Sequence, residues 1–189
     1  MSKLISSPRW LVSFAAVALC IASVGVFGKQ IPVERVQVAW APEQQLTEVK
    51  DNQFHRGWLR PKDWMASLSE HLQRRADAIL PAGEKLEVTI DDVKLAGDFE
   101  PWHGAAAEDI RFMKDIYPPR IDLHYRLLDA DGRTLREGSG KLRDLSYLQR
   151  VVPNNTDPLR YDKRLLDDWL RKEFRAGEAR AMAPAQRGA

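Results

Sequence analysis

The 189-residue chain is long enough for one domain with its own core, and its formal net charge of +2 rests on 29 Lys and Arg against 27 Asp and Glu. Residues 1–28 carry Lys3 and Arg9 and no acid, so the remainder is balanced at 27 to 27. A balanced domain with no basic stripe in its sequence lacks the electrostatic footprint of a nucleic-acid binder, and no nucleic-acid partner is expected.

The first stretch, "MSKLISSPRWLVSFAAVALCIASVGVFGKQ", has a short basic head and an uninterrupted apolar or small run from Trp10 to Gly28. That pattern predicts a signal peptide over residues 1–28, with small residues Val26 and Gly28 placed for cleavage after Gly28. Cleavage after Gly25 also fits. The run is close to a membrane-spanning length, so an uncleaved N-terminal anchor is the alternative, and membrane contact is expected only in that case. Leu19 before Cys20 is a poor lipidation signal. Cys20 is the only cysteine, so the exported domain holds no disulfide and depends on its core.

"PVERVQVAW", Pro32 to Trp40, alternates and predicts a first strand, ended by Pro42. "PEQQLTEVKDNQFHRGW" shows no periodicity and is expected to be mostly loop. "PKDWMASLSEHLQRRADAILP" predicts a helix: Trp64, Leu68, Leu72, Ala76 and Ile79 recur at helical spacing, Pro61 suits the first turn and Pro81 ends it. "KLEVTIDDVKLAG" predicts a second strand with Leu86, Val88 and Ile90 on one face. Val93 and Leu95 have the opposite parity, so a bulge near Asp91–Asp92 is expected.

Gly97 to Ile116 is a long mixed connection in which "AAAEDIRFM" could form a short helix. "RIDLHYRLLDADGRTLREGSGKLRDL" predicts a hairpin. Ile121, Leu123, Tyr125 and Leu127 point one way, Asp122, His124 and Arg126 the other, and "DADG" supplies the turn. Gly138 and Gly140 suggest a bulge before Leu142. "DPLRYDKRLLDDWLRKEF" predicts a second helix, with Asp157 as N-cap, Pro158 first, and an apolar face of Tyr161, Leu165, Leu166, Trp169, Leu170 and Phe174. Residues 176–189 read as a disordered tail. Strands and helices do not alternate strictly. The expected fold is therefore α+β: one small, mainly antiparallel sheet with two amphipathic helices on one face, in a single domain over residues 29–175.

The phrases "LPAG" before "LEVTI", "DVKLAGDFEPW", "DIYPPRIDL", "YRLLDADGRTLREG", "LRDLSYL" and "DPLRYDKRLLDDWLRKEF" occur together and in order. This combination resembles the domain of unknown function 3016 family of exported bacterial proteins, over roughly residues 33–175. The resemblance implies a Gram-negative envelope location, most simply periplasmic. It implies no reaction, and no catalytic residue carries over.

Several constellations invite chemistry. His103, Asp122 and His124 are the best metal candidates, since Asp122 and His124 share a strand face and His103 precedes that strand, where Asp98 or Glu100 could add an oxygen. The bland alternative is a solvated strand face beside a loop histidine, and no metal or cofactor is expected. "DADG" fails as a calcium loop, because Leu127 and Gly138 occupy the first and last ligand positions. Ser139 in "EGSGK" is not on a nucleophile elbow. "NNT", Asn154 to Thr156, is a formal glycosylation sequon that reads as a polar lead-in to the second helix.

The remaining concentration is aromatic. Phe99, Trp102, His103, Phe112 and Tyr117 fall in one connection, and long ordered loops in small domains are often functional. It is either a lid over one end of the core or a patch for an envelope protein partner or small ligand, with Phe99, Trp102, His103, Arg111, Tyr117 and Arg120 as its residues and the two arginines as anion contacts. The function expected is a non-catalytic periplasmic binding or interaction domain. The alternative is a metal-dependent or acid/base envelope enzyme built on His103, Asp122 and His124. Nothing in the sequence signals an oligomeric state.

Overall fold

In the computed structural model of the chain the described residues are 35–52, 59–150 and 155–175. The leader, Val33, residues 53–58 of the expected loop, Asn154 of the sequon and the tail lie outside them.

Among the described residues the main sheet has four strands in the order β1-β2-β5-β6. These are β1 (Val36–Trp40), β2 (Lys85–Lys94), β5 (Arg120–Leu128) and β6 (Thr134–Arg143). β1 runs parallel to β2; the other two pairings are antiparallel. A two-stranded ribbon, β3 (Asp98–Phe99) with β4 (Arg111–Phe112), lies within the long connection. The helices are α1 (Thr47–Asn52), α2 (Pro61–Asp77) and α3 (Arg160–Leu170), the last continued by a π-helical turn over Arg171–Arg175. The α+β class with a mainly antiparallel sheet is as the sequence predicts.

Period-two patterning decides which sheet face is covered. Ile121, Leu123, Tyr125 and Leu127 are buried with Leu86, Val88 and Ile90, and α2 and α3 pack there through Leu68, Leu72, Leu165, Leu166 and Trp169. The other face carries cross-strand polar pairs: Arg126 with Glu87 at 2.7 Å, His124 with Asp91 at 2.9 Å, and Arg143 with Asp122 at 3.0 Å. Pro61 opens α2 as expected.

The expected bulge is present. The β2–β5 register shifts between Ile90 and Asp92. Asp91 turns to the open face and His124, whereas Asp92 accepts hydrogen bonds from the Thr47 amide and hydroxyl, both at 2.7 Å. Val93 and Leu95 return to the core at 1 % exposure. The "DADG" turn also forms, with Asp129 Oδ1 accepting from the Asp131 and Arg133 amides and Gly132 at φ +83°.

Four expectations are corrected. The described part of the segment after Pro42 is not mostly loop: Leu46 is fully buried and α1 follows it. The helix was hidden because its inward residue, Glu48, is charged, so no apolar stripe marks it. The "AAAEDIRFM" segment forms only a 3-10 turn, Ala105–Ala107, and then β4. β6 has no bulge at Gly138 or Gly140; the irregularity is at Leu135, where Leu127 pairs with Arg136 and Leu128 with Thr134. Gly138 instead leaves room for the Tyr125 ring, which a Cβ there would meet at 3.0 Å. Finally, α3 begins at Arg160, after a turn in which Asp157 Oδ1 accepts from the Leu159 amide at 2.8 Å. Asp157 thus caps the lead-in turn rather than the helix.

Candidate functional site

The connection from Leu95 to Pro119 rests on charged side chains placed where a core would ordinarily be apolar. Glu48 from α1 and Arg111 from β4 form an ion pair at 2.6 Å, with side chains 3 % and 1 % exposed. Arg111 Nη2 also donates to Glu48, at 3.1 Å, and backbone carbonyls take the rest: Nε donates to Ala96 at 2.7 Å, and Nη2 to Leu95 and Gly97, both at 2.9 Å. Glu48 also accepts from the Leu95 amide at 2.9 Å. The fork geometry of arginine is what lets one side chain hold a carboxylate and three carbonyls at once.

Asp162 on α3 extends this support. Its Oδ1 accepts from the Ala96 amide at 3.0 Å, and its Oδ2 is buried without a hydrogen-bond partner among the described residues. Burial raises its pKa to about 7; the Ala96 amide and the Arg111 charge oppose that shift, and the Glu48 charge reinforces it. Tyr161, expected on the sheet-facing side of the helix, instead packs edge-on against Tyr147 at 4.8 Å, beside Ala96.

A second carboxylate organises the outer part of the loop. Glu100 is buried and accepts from Lys114 Nζ at 2.6 and 2.7 Å, from the Tyr117 hydroxyl at 2.9 Å and from His103 Nε2 at 2.7 Å. The Lys114 bond, with those of Tyr117 and His103, outweighs burial and holds Glu100 below the ordinary carboxylate range. The same bond to Glu100 raises the Tyr117 phenol. The His103 ring lies 5.0 Å from Phe112 and 6.1 Å from Trp102.

The six patch candidates therefore divide. His103 and Tyr117 are brought together on Glu100, and Trp102 lies beside the His103 ring. Trp102 is 69 % exposed, and Ile110 and Ile116 of the same connection are 52 % and 72 % exposed. Phe99 is buried, with the Arg111 guanidinium 5.3 Å above its ring. Arg111 is not an anion contact at the surface, because its fork is spent on Glu48 and the backbone. Arg120 is exposed at the start of β5 and lines a cleft of about 310 Å³ with Lys94, Asp98 and Tyr117. Lys94 there pairs with Asp51 and Asp98.

The histidine and aspartate candidates are not gathered. Asp122 and His124 share the open face as predicted, but each is taken up by a cross-strand partner, and His103 is bonded to Glu100. Among the described residues no three His, Cys, Asp or Glu side chains converge as a metal site. Glu100, held ionised by its partners, is no proton donor near neutrality. Asp162 is 1 % exposed and its observed partner is a backbone amide. The arrangement is built to fix a surface.

Sequence reasoning missed Glu48, Lys114 and Asp162, and weighed Glu100 only as an oxygen that could join His103 on a metal. A single charged residue, in an aperiodic segment or between the apolar positions of a helix, reads as solvated, and only tertiary contacts reveal Glu48, Glu100 and Asp162 as buried.

The family described as "Protein of unknown function (DUF3016)" matches residues 34–172. The chain belongs to that family. The match takes in the whole of the loop and its supports, from Glu48 to Asp162, so this site lies inside the family's domain. The chain matches no curated protein and no solved structure.

Proposed function

We propose that this is a non-catalytic interaction domain of the bacterial envelope, exported by its N-terminal segment and using the outer face of the 95–119 loop to hold a protein partner. One observation carries the reading. Of the five exposed large hydrophobic side chains among the described residues, Trp102, Ile110 and Ile116 lie on this one connection. A lid serving only the core would turn such side chains inward. Here Arg111 and Glu100 point inward beside Phe99, while Trp102, Ile110 and Ile116 stay outside. Rigid exposed tryptophan beside charged groups is the composition of interface hot spots.

An added strand is a compatible second contact, since β1 and β6 are the edges of the sheet. β6 is the longer, and its exposed Glu137, Lys141 and Arg143 would restrict which strand pairs there.

The test is site-specific photo-crosslinking of the full chain in an envelope extract, with the crosslinker at Ile110. A Trp102→Ala/Ile116→Ala variant is expected to lose the crosslinked partner while its unfolding midpoint moves by less than about 0.5 kcal/mol, as for exposed positions generally. Equal crosslinking in wild type and variant would refute the patch. N-terminal sequencing of the envelope product tests export: a chain beginning at Lys29 or Val26 supports it, and intact Met1 confined to the cytoplasm sinks it.

A further inference from the structure

The linear sequence shows no basic stripe, yet folding gathers one. A groove of about 600 Å³ between α2 and α3 is lined by six cations, Arg74, Arg150, Arg160, Lys163, Arg164 and Arg171, against two carboxylates, Asp157 and Asp167. Asp168 lies beside it and pairs with Arg150 and Arg171. Even with that third acid the groove keeps a positive excess, in a chain balanced at 27 to 27 beyond residue 28.

How the cations are held matters more than their number. Lys163 is neutralised by Asp157 at 2.6 Å, and Asp167 serves His71 and Arg75. Arg160 and Arg164 have no carboxylate partner among the described residues. Arg160 donates to the Asp157 carbonyl at 3.0 Å and lies 4.4 Å over the Tyr161 ring. Arg164 donates to the Arg150 carbonyl and lies 5.6 Å from the same ring. Carbonyls and an aromatic face fix a guanidinium without cancelling its charge. The side chain of Arg74, exposed on α2, makes no hydrogen bond or ion pair among the described residues. Arg160 and Arg164 on α3 and Arg171 at the start of the turn that continues it follow at helical spacing along one side, a strip of about 16 Å at 1.5 Å per residue.

We infer that this groove is a binding site for a phosphate-bearing anion, with Arg74, Arg160 and Arg164 as its principal contacts. Two guanidiniums fixed in place and a third facing them suit the tetrahedral oxygens of a phosphate group, which arginine binds through paired donors. A strip of that length suits an extended anion better than a single phosphate. The groove owes nothing to the loop patch, so either can fail alone.

Two sources offer this chemistry, a soluble oligophosphate and an anionic lipid headgroup. Inorganic tripolyphosphate is titrated calorimetrically into the full chain at low salt. In parallel the chain is co-sedimented with phosphatidylglycerol and with phosphatidylcholine vesicles, since attachment through the apolar N-terminal segment would not distinguish the two lipids. The inference expects tripolyphosphate binding that Arg74→Ala and Arg164→Ala each weaken roughly tenfold, the size of one charge-assisted contact. Arg164→Lys should recover only part of the affinity, and added salt should weaken all of it. Binding confined to phosphatidylglycerol vesicles, and lost in the same variants, assigns the headgroup as source. Arg74→Ala removes no internal contact, so it reads binding even if Arg164→Ala disturbs the fold. No binding to either probe, or binding indifferent to Arg74→Ala and Arg164→Ala, overturns the inference.

Discussion

On the open face of the sheet, Arg126–Glu87, Arg143–Asp122 and His124–Asp91 pair across strands in contact with solvent. Beneath the 95–119 loop, Glu48 and Arg111 make the same kind of pair with almost no exposure. The side chains are alike and the consequences differ. Exposed pairs exchange one set of hydrated partners for another and contribute little. A buried pair has already lost its hydration, so each partner depends on the other, and removing one leaves an uncompensated charge. The open-face pairs decorate a fold that the apolar face secures, whereas the buried ones are the support on which the loop sits.

The sharpest way to break this comparison is Arg111→Met. It strands Glu48 and releases three backbone carbonyls, and it should cost about 3–5 kcal/mol in urea unfolding. Adding Glu48→Gln should restore much of that loss. Independent, additive effects of the two substitutions would mean that the pair is no unit.

Asp162 gives the comparison a pH dependence. Its folded pKa of about 7 lies above the ordinary 3.8, so between these values the folded state holds a proton that the unfolded state has released. Its contribution is fully present below pH 3.8 and is lost as pH rises through about 7. His71 has the opposite sign: burial lowers its pKa against the pull of Asp167, so it loses stability as pH falls below the ordinary 6.5. The wild-type profile minus that of Asp162→Asn isolates the carboxyl. That difference should decline between pH 4 and pH 8 by on the order of 2–4 kcal/mol. A flat difference would place the proton elsewhere.

Gly97 should come next in size. It holds φ +80°, and a Cβ would meet the Phe112 carbonyl oxygen at 2.8 Å. Gly97→Ala should therefore cost about 1–3 kcal/mol by thermal unfolding. The smallest effect belongs to the open face, where His124→Ala should stay within about 0.5 kcal/mol. A large loss there would erase the distinction between the two sets of pairs.

Legibility follows the same division. Ile121 to Leu127, Leu86 to Ile90 and the Trp64–Leu68–Leu72–Ala76 series were readable because apolar burial imposes a period of two or of helical spacing. The bulge was readable as a parity change between Ile90 and Val93. The loop was readable only as a concentration of aromatics before a strand. Trp, His and Tyr announced a special segment, but the side chains that fix it, Glu48 on α1, Glu100 and Arg111 in the loop and Asp162 on α3, come from three segments with no shared period. Arg111 read as a surface cation because nothing local says that Glu48 lies opposite. The groove cations were likewise dispersed over residues 74–171, and only the packing of α2 against α3 turns them into one surface.

A loop preformed by buried charge should resist local opening, which amide hydrogen exchange of the full chain reads residue by residue. The amides of Leu95, Ala96 and Gly97, bonded to Glu48, Asp162 and the Tyr117 carbonyl, should be protected like those of β2 and β5 in the wild type. In Arg111→Met their protection should fall while the sheet keeps most of its own. Rapid exchange at these three amides in the wild-type chain would contradict the account.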